Sequence, residues 1–223
     1  MLDFDSLPSP PSLKDMALQA LKKAILEDKL QPERIYRIEE LAKALGISKT
    51  PVREALHDLS SLGFVTILPR RGIQINALDD KDIRDLYEFR TAMETAVMRR
   101  IAPIVTDRDI ERAQAINDGA MVFSGPQERM AYLKKDREFH LFLSELSEND
   151  YLINALEHVR DLMDWMGIKA LFKEERIMEA HEEHRKILDM LRKRDPGGAA
   201  AMMAAHIRIT EENVLSRLRE QQR

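Results

Sequence analysis

The sequence predicts a mainly α-helical protein: an N-terminal winged helix-turn-helix with a small β-hairpin wing, followed by a C-terminal all-α helical bundle. Three observations carry that expectation. Apolar residues recur at helical spacing through most of the chain. The period changes to two where "FVTIL" and "IQIN" flank "PRRG", which reads as a hairpin. From Leu78 onward no strand-like run of any length interrupts the helical pattern.

Residues 1–11, rich in Ser and Pro, read as a flexible arm. From Ser12 the spacing of Met16, Leu18, Ala20, Leu21, Ala24 and Ile25 is helical, and "KLQPER" ends that helix at about Lys29. "IEELAKALG" gives a short helix closed by Gly46, a residue suited to the left-handed turn after a helix. In the next helix Ser48 or Thr50 can cap free N–H groups, and Pro51 falls in the first turn, where a missing donor costs little. That helix buries Val52, Ala55, Leu56, Leu59 and Leu62 on one side and lines up Lys49, Arg53 and His57 on another. Two cations in the first turns oppose the helix dipole, so a receiver outside the protein is expected for them. The hairpin completes a first domain over 12–76. A second, over 79–223, is cut into about six helices by breaks at "PIVTD", "DGAMVFSGPQ", "SEND" and "RDPGG".

The 223 residues, 44% hydrophobic and 33% charged, suffice for two domains. The absence of cysteine excludes disulfides and thiolate metal sites and suits a reducing compartment. With no basic-then-apolar N-terminus and no apolar run near the ~20 residues of a membrane span, the expected location is cytoplasmic. Net charge is −4, but residues 1–76 hold 11 Lys and Arg against 10 Asp and Glu, while the remainder holds 24 against 29. That division points to a local basic surface rather than a basic domain.

In a helix-turn-helix the second helix enters the major groove by its N-terminal end, so long, cationic or hydrogen-bonding side chains belong there. Lys49, Thr50 and Arg53 meet the demand, and Arg53 can take both acceptors on a guanine edge. Arg70 and Arg71 sit at the hairpin tip within reach of phosphates or the minor groove, with Gly72 letting the backbone come close. The bland alternative is a solvated helix face beside an ordinary small sheet; the order of elements and the basic tip weigh against it.

"LAKALGISKTPVREAL", followed by "LGFV" and "RRG", resembles the N-terminal signature of the GntR family of bacterial transcription regulators, over about residues 12–76. The resemblance implies that Ser48, Lys49, Thr50, Arg53, Arg71 and Gly72 contact DNA. There are two departures: the family usually has Arg where Lys49 stands, and many members have Arg where Glu39 stands. Lys lacks the rigid fork of Arg.

In the second domain Asp136 and His140 are four apart in "DREFH", so one helix face presents both. His184 and His206 lie on following helices among apolar residues at helical spacing, which turns both into the bundle. A divalent cation held by one Asp and three His would compensate all four. Each histidine read alone is more often an ordinary core or surface residue than a ligand, and the spacing alone leaves the set of four evenly balanced between the two readings. His181, one turn before His184, is expected to be exposed.

The chain from Asp79 to about Ile209 resembles the helical FCD effector domain of the FadR branch of the same family, in "EFRTAMETAV", "DREFH" with "END", "EEHRKIL" and "RDPGGAAAMMAAHI". The resemblance implies that Asp136, His140, His184 and His206 bind a divalent metal (zinc, nickel or manganese) and that Arg90 binds the carboxylate of an organic-acid effector. With all four ligand positions filled, it excludes the metal-free version typified by acyl-CoA-binding members. Arg90 has a simpler alternative, an i, i+4 surface ion pair with Glu94. The expected whole is a homodimeric transcription regulator that binds a palindromic double-stranded DNA operator and senses a small carboxylate. The rival is a metal-dependent hydrolase or other enzyme using the Asp/His3 site, with Glu138 or Glu183 as general base.

Overall fold

The computed structural model describes residues 11–27, 29–77, 79–121, 129–170 and 174–221; the expected arm falls outside them except for its last residue. The chain divides into two compact units, Met1–Ala77 and Leu78–Arg223.

The first unit holds α1 (Leu13–Leu26), β1 (Ile35–Tyr36), α2 (Ile38–Leu45), α3 (Lys49–Ser61), β2 (Val65–Leu68) and β3 (Gly72–Ile75). Helix α1 starts in a capping box between Ser12 and Asp15 and ends near Leu26, slightly before the expected Lys29. Gly46 closes α2 at φ 69°, as expected of a left-handed cap. The helices meet over Ala17, Leu21 and Ile25 of α1, Leu41 and Ala42 of α2, and Val52, Ala55, Leu56 and Leu59 of α3, all buried. Ser48 is the N-cap residue of α3, yet its side chain makes no capping hydrogen bond.

The hairpin pairs Val65 with Ile75 and Leu68 with Gly72. A third strand was missed by the sequence pattern: β1 pairs with the other side of β3, giving the antiparallel order β1-β3-β2. Two residues are too few to show a period. That strand also explains Gly72, which has φ 124° and whose added Cβ would lie 2.2 Å from the Tyr36 carbonyl oxygen. The close approach expected of Gly72 is thus met first within the protein, against β1.

The second unit contains α4 (Asp80–Ile101), α5 (Asp107–Ala120), α6 (Arg129–Glu145), α7 (Asp150–Ala170), α8 (Glu174–Arg192) and α9 (Pro196–Gln221). Capping boxes at Asp79 and Thr106 start α4 and α5. At "RDPGG" the Asp195 side chain accepts from the Gly198 N–H, and a Cβ at Gly198 would collide with that carboxylate at 2.3 Å. Helix α4 packs along α9, and α5 to α8 close around them. The core is apolar at Ile83, Val97, Met98, Phe139, Leu143, Ile187, Leu188, Met203 and Ile207, with a polar cluster set inside it.

Candidate metal centre and nucleic-acid interface

Asp136 and His140 lie on α6, Phe139 between them, so the i, i+4 spacing brings both to one face. His184 is on α8 and His206 on α9; α7 intervenes in sequence but not between the side chains. Donor atoms of the four residues lie within 4.8 Å of one another. His140 Nε2 and His184 Nε2 are 3.9 and 3.7 Å from Asp136 Oδ1, and His184 Nε2 is 3.4 Å from His206 Nε2. All three imidazoles are buried, and the Phe139 ring stacks on His184 at 4.2 Å.

The outer nitrogen of each ring is anchored. His140 Nδ1 donates to Glu94 Oε2 (2.5 Å), His206 Nδ1 to Glu183 Oε2 (2.7 Å) and His184 Nδ1 to Asn117 Oδ1 (3.0 Å). The orientation of the Asn117 amide is itself fixed, because Nδ2 donates to the His181 carbonyl. With every Nδ1 carrying the proton, the Nε2 atoms present lone pairs to one another and to a carboxylate oxygen. Lone pairs 3.4 Å apart in a buried site repel, and a shared cation relieves them. This donor set fits a divalent metal, with each imidazole oriented by the hydrogen bond on its far side.

Arginines neutralise the anchoring carboxylates. Glu94 Oε1 accepts from Arg90 Nε (2.6 Å) and Arg160 Nη2 (2.9 Å), and Arg160 Nη1 reaches Asp136 Oδ2 at 3.2 Å. Arg176 forks onto both oxygens of Glu183 at 2.8 and 2.9 Å and donates to Thr210. Burial acts to raise the Glu94 carboxyl, but Arg90, His140 and Arg160 outweigh it and hold the group well below its ordinary range. Burial likewise works against Asp136, whose neighbours His140 and Arg160 nevertheless depress it. The imidazoles move down as well: burial comes first, aided by Arg160 at His140, by His206 at His184, and by His140 at His206. Ionised carboxylates and neutral imidazoles are the forms that ligate a metal.

Arg90 and Glu94 are 2% and 3% exposed, which rules out a surface ion pair as the account of Arg90. Arg90 Nη2 lies 3.3 Å from His140 Nε2, beside the ligand cluster. Sequence reasoning missed Asn117, Arg160 and Arg176 and the contact of Glu94 with His140. His181 is a correction: its side chain is only 14% exposed, turned toward Asp118 of α5, with Nδ1 buried and unbonded among the described residues. Of the two candidate general bases, Glu183 is held by His206 and Arg176, and Glu138 is exposed beside Lys135.

In the first unit Ser48, Lys49, Thr50 and Arg53 are exposed at the N-terminal end of α3, and the Ser48 hydroxyl is not spent on capping. Arg70 and Arg71 are exposed at the turn between β2 and β3, Arg70 at φ 62°, a left-handed conformation that an L side chain rarely adopts. The two positions departing from the family pattern touch: Lys49 Nζ is 2.7 Å from Glu39 Oε1.

The family model for "Bacterial regulatory proteins, gntR family" matches residues 13–75, and that for the FCD domain matches residues 85–209. The Nta operon transcriptional regulator of Aminobacter aminovorans is 30% identical over 195 residues, covering 84% of this chain and 87% of that protein. The HTH-type transcriptional regulator LutR of Bacillus subtilis (strain 168) is 27% identical over 215 residues, 86% of this chain and 96% of that one. Among solved structures, E. coli McbR/YncC shares the fold with a TM-score of 0.77 at 20% identity, over 94% of this chain and 100% of that one. No described helix is long and apolar enough to cross a membrane. With both halves matched and its relatives transcriptional regulators, the chain belongs to the gntR family of bacterial regulatory proteins and is a DNA-binding transcription regulator with an FCD effector domain.

Proposed function

We propose that the second unit holds zinc, nickel or manganese through Asp136, His140, His184 and His206, and that a small organic acid binds beside the metal. The observation that carries this reading is the convergence of three Nε2 lone pairs on one carboxylate, each ring held from behind. When bound, the metal supplies a positive charge and open positions for an anionic oxygen. Arg90 grips the acid's carboxylate; its Nε is held by Glu94, and its Nη2 already lies at the ligand cluster. Two copies related by a two-fold axis read a palindromic operator in the cytoplasm, each through Ser48, Lys49, Thr50 and Arg53 in the major groove and Arg70, Arg71 and Gly72 at the wing. Acid binding alters the placement of the two heads and so the affinity for DNA.

Elemental analysis of dialysed protein, loaded in turn with zinc, nickel and manganese, tests the metal. One equivalent per chain is expected in the wild type and a clear loss in His184→Ala, which leaves the remaining ligands an incomplete shell. Substoichiometric metal in the wild type under every loading condition would reduce the cluster to core histidines. A thermal-shift screen of organic acids on the loaded protein then identifies the acid class.

A further inference from the structure

We propose that Glu39 and Lys49 act as one unit that reads a G·C base pair in the major groove; the inference rests on the groove placement of α3 proposed above. The two residues come from different helices, Glu39 from the first turn of α2 and Lys49 from the start of α3, and their charged atoms are 2.7 Å apart. Their side chains are 60% and 55% exposed, and an ion pair this open contributes little to holding a fold together.

Lys49 and Arg53 are four apart on α3 and share a face. The Glu39 carboxylate, joined to Lys49, therefore stands on the surface that meets DNA. There it is repelled by phosphates unless it accepts a hydrogen bond from a base. Its bond with Lys49 holds the carboxyl below the ordinary glutamate range, so it stays an ionised acceptor.

In the major groove the cytosine N4 amino group is the donor a carboxylate takes, and guanine O6 and N7 are the acceptors an ammonium takes. Within one G·C pair, O6 and N4 are hydrogen-bonded partners about 3 Å apart. An ammonium and a carboxylate held side by side match that edge, Lys49 on O6 and N7 and Glu39 on N4. An A·T pair with adenine in the place of guanine sets the N6 amino donor against the ammonium and thymine O4, an acceptor, against the carboxylate; the reversed T·A pair replaces guanine N7 by the thymine methyl beside the ammonium and puts adenine N7, an acceptor, beside the carboxylate. Inverting the pair to C·G sets donor against donor and acceptor against acceptor.

The test is selection from a randomised duplex library, followed by titration of the selected site, with the full-length wild type, Glu39→Ala, Lys49→Ala and Arg53→Ala. We expect the wild-type site to contain a G·C pair whose preference is flattened by Glu39→Ala and by Lys49→Ala alike, every other position being kept. Inverting that pair should weaken wild-type binding roughly tenfold and leave Glu39→Ala almost indifferent. If Glu39→Ala keeps every base preference and merely binds DNA more tightly throughout, the carboxylate is only a repelled charge and the proposal falls. It falls too if the two variants flatten different base pairs. Unchanged site preference in Arg53→Ala would remove α3 from the groove, which overturns the underlying placement and is distinguishable from failure of the pair alone.

Discussion

Replacing Glu94 by Gln tests whether the polar cluster is organised as its geometry implies, because that one carboxylate accepts from Arg90, Arg160 and His140 while 3% exposed. Gln keeps the shape, one acceptor oxygen and no charge. Its amide must turn two N–H donors toward at least one partner that is itself a donor. Two buried guanidinium groups then lose their shared counter-charge, while Arg160 keeps its bond to Asp136 at 3.2 Å. Removing one partner from a buried charged network costs ~3–5 kcal/mol. With a urea m value of ~2 kcal/mol per molar, the unfolding midpoint of the second unit should fall by about 2 M. Metal affinity should fall by roughly 10–100-fold, because His140 must compete with two arginines for the one remaining acceptor oxygen that fixes its tautomer. The assay is urea unfolding followed by circular dichroism, paired with metal titration, and with Glu138→Gln as an exposed control expected to change stability by less than ~0.5 kcal/mol. A loss below about 1 kcal/mol with unchanged metal affinity would refute the claim that Glu94 joins the arginines to the ligand shell.

Arg90→Met retains much of the apolar stem; calorimetric titration of the acid found by thermal shift, on metal-loaded protein, should show binding weakened by ~2–3 kcal/mol with DNA affinity in the absence of acid unchanged. Equal acid affinity in variant and wild type would withdraw Arg90 from the acid site. Arg53→Ala should weaken operator binding by ~1–3 kcal/mol in mobility-shift titrations at fixed salt, with unfolding unaltered since the side chain is exposed. Stability should also decline steadily on acidification. The three imidazoles are held below the ordinary histidine value of 6.5, so below that pH the unfolded chain binds more protons than the folded one. The depressed Glu94 and Asp136 act in the same direction lower down, their contribution being lost as pH falls and they are forced to protonate. A second unit that grows more stable between pH 7 and 4 would contradict both assignments.

The parts of the protein legible in sequence are those written at short range. Asp136 and His140 announce a shared face by their spacing, and Gly46 announces the end of α2. Glu94 and His140 are 46 residues apart, Asn117 and His184 67, Arg160 and Asp136 24, and no local period links them. Arg160 in particular sits in "EHVRDLMDW", a stretch whose pattern says only that it is helical. The short strand β1 escaped notice for a related reason, as its two residues form a strand only because β3 lies alongside. Exposure was misjudged at His181 because the turn of α8 that aims His184 inward brings its neighbour partly with it.

The cluster takes a side chain from each described helix of its unit: Glu94 from α4, Asn117 from α5, Asp136 from α6, Arg160 from α7, His184 from α8 and His206 from α9. It therefore works as a keystone, and mutation cannot dismantle it piecemeal. Exchanging any one of these residues loosens a helix as well as a ligand, so the cluster is closed to gradual change. A regulator of this build acquires a taste for a different acid through residues that pack beside the cluster without bearing the charge network, such as Phe139 stacked on His184. Descendants would be expected to share the keystone while responding to unlike metabolites.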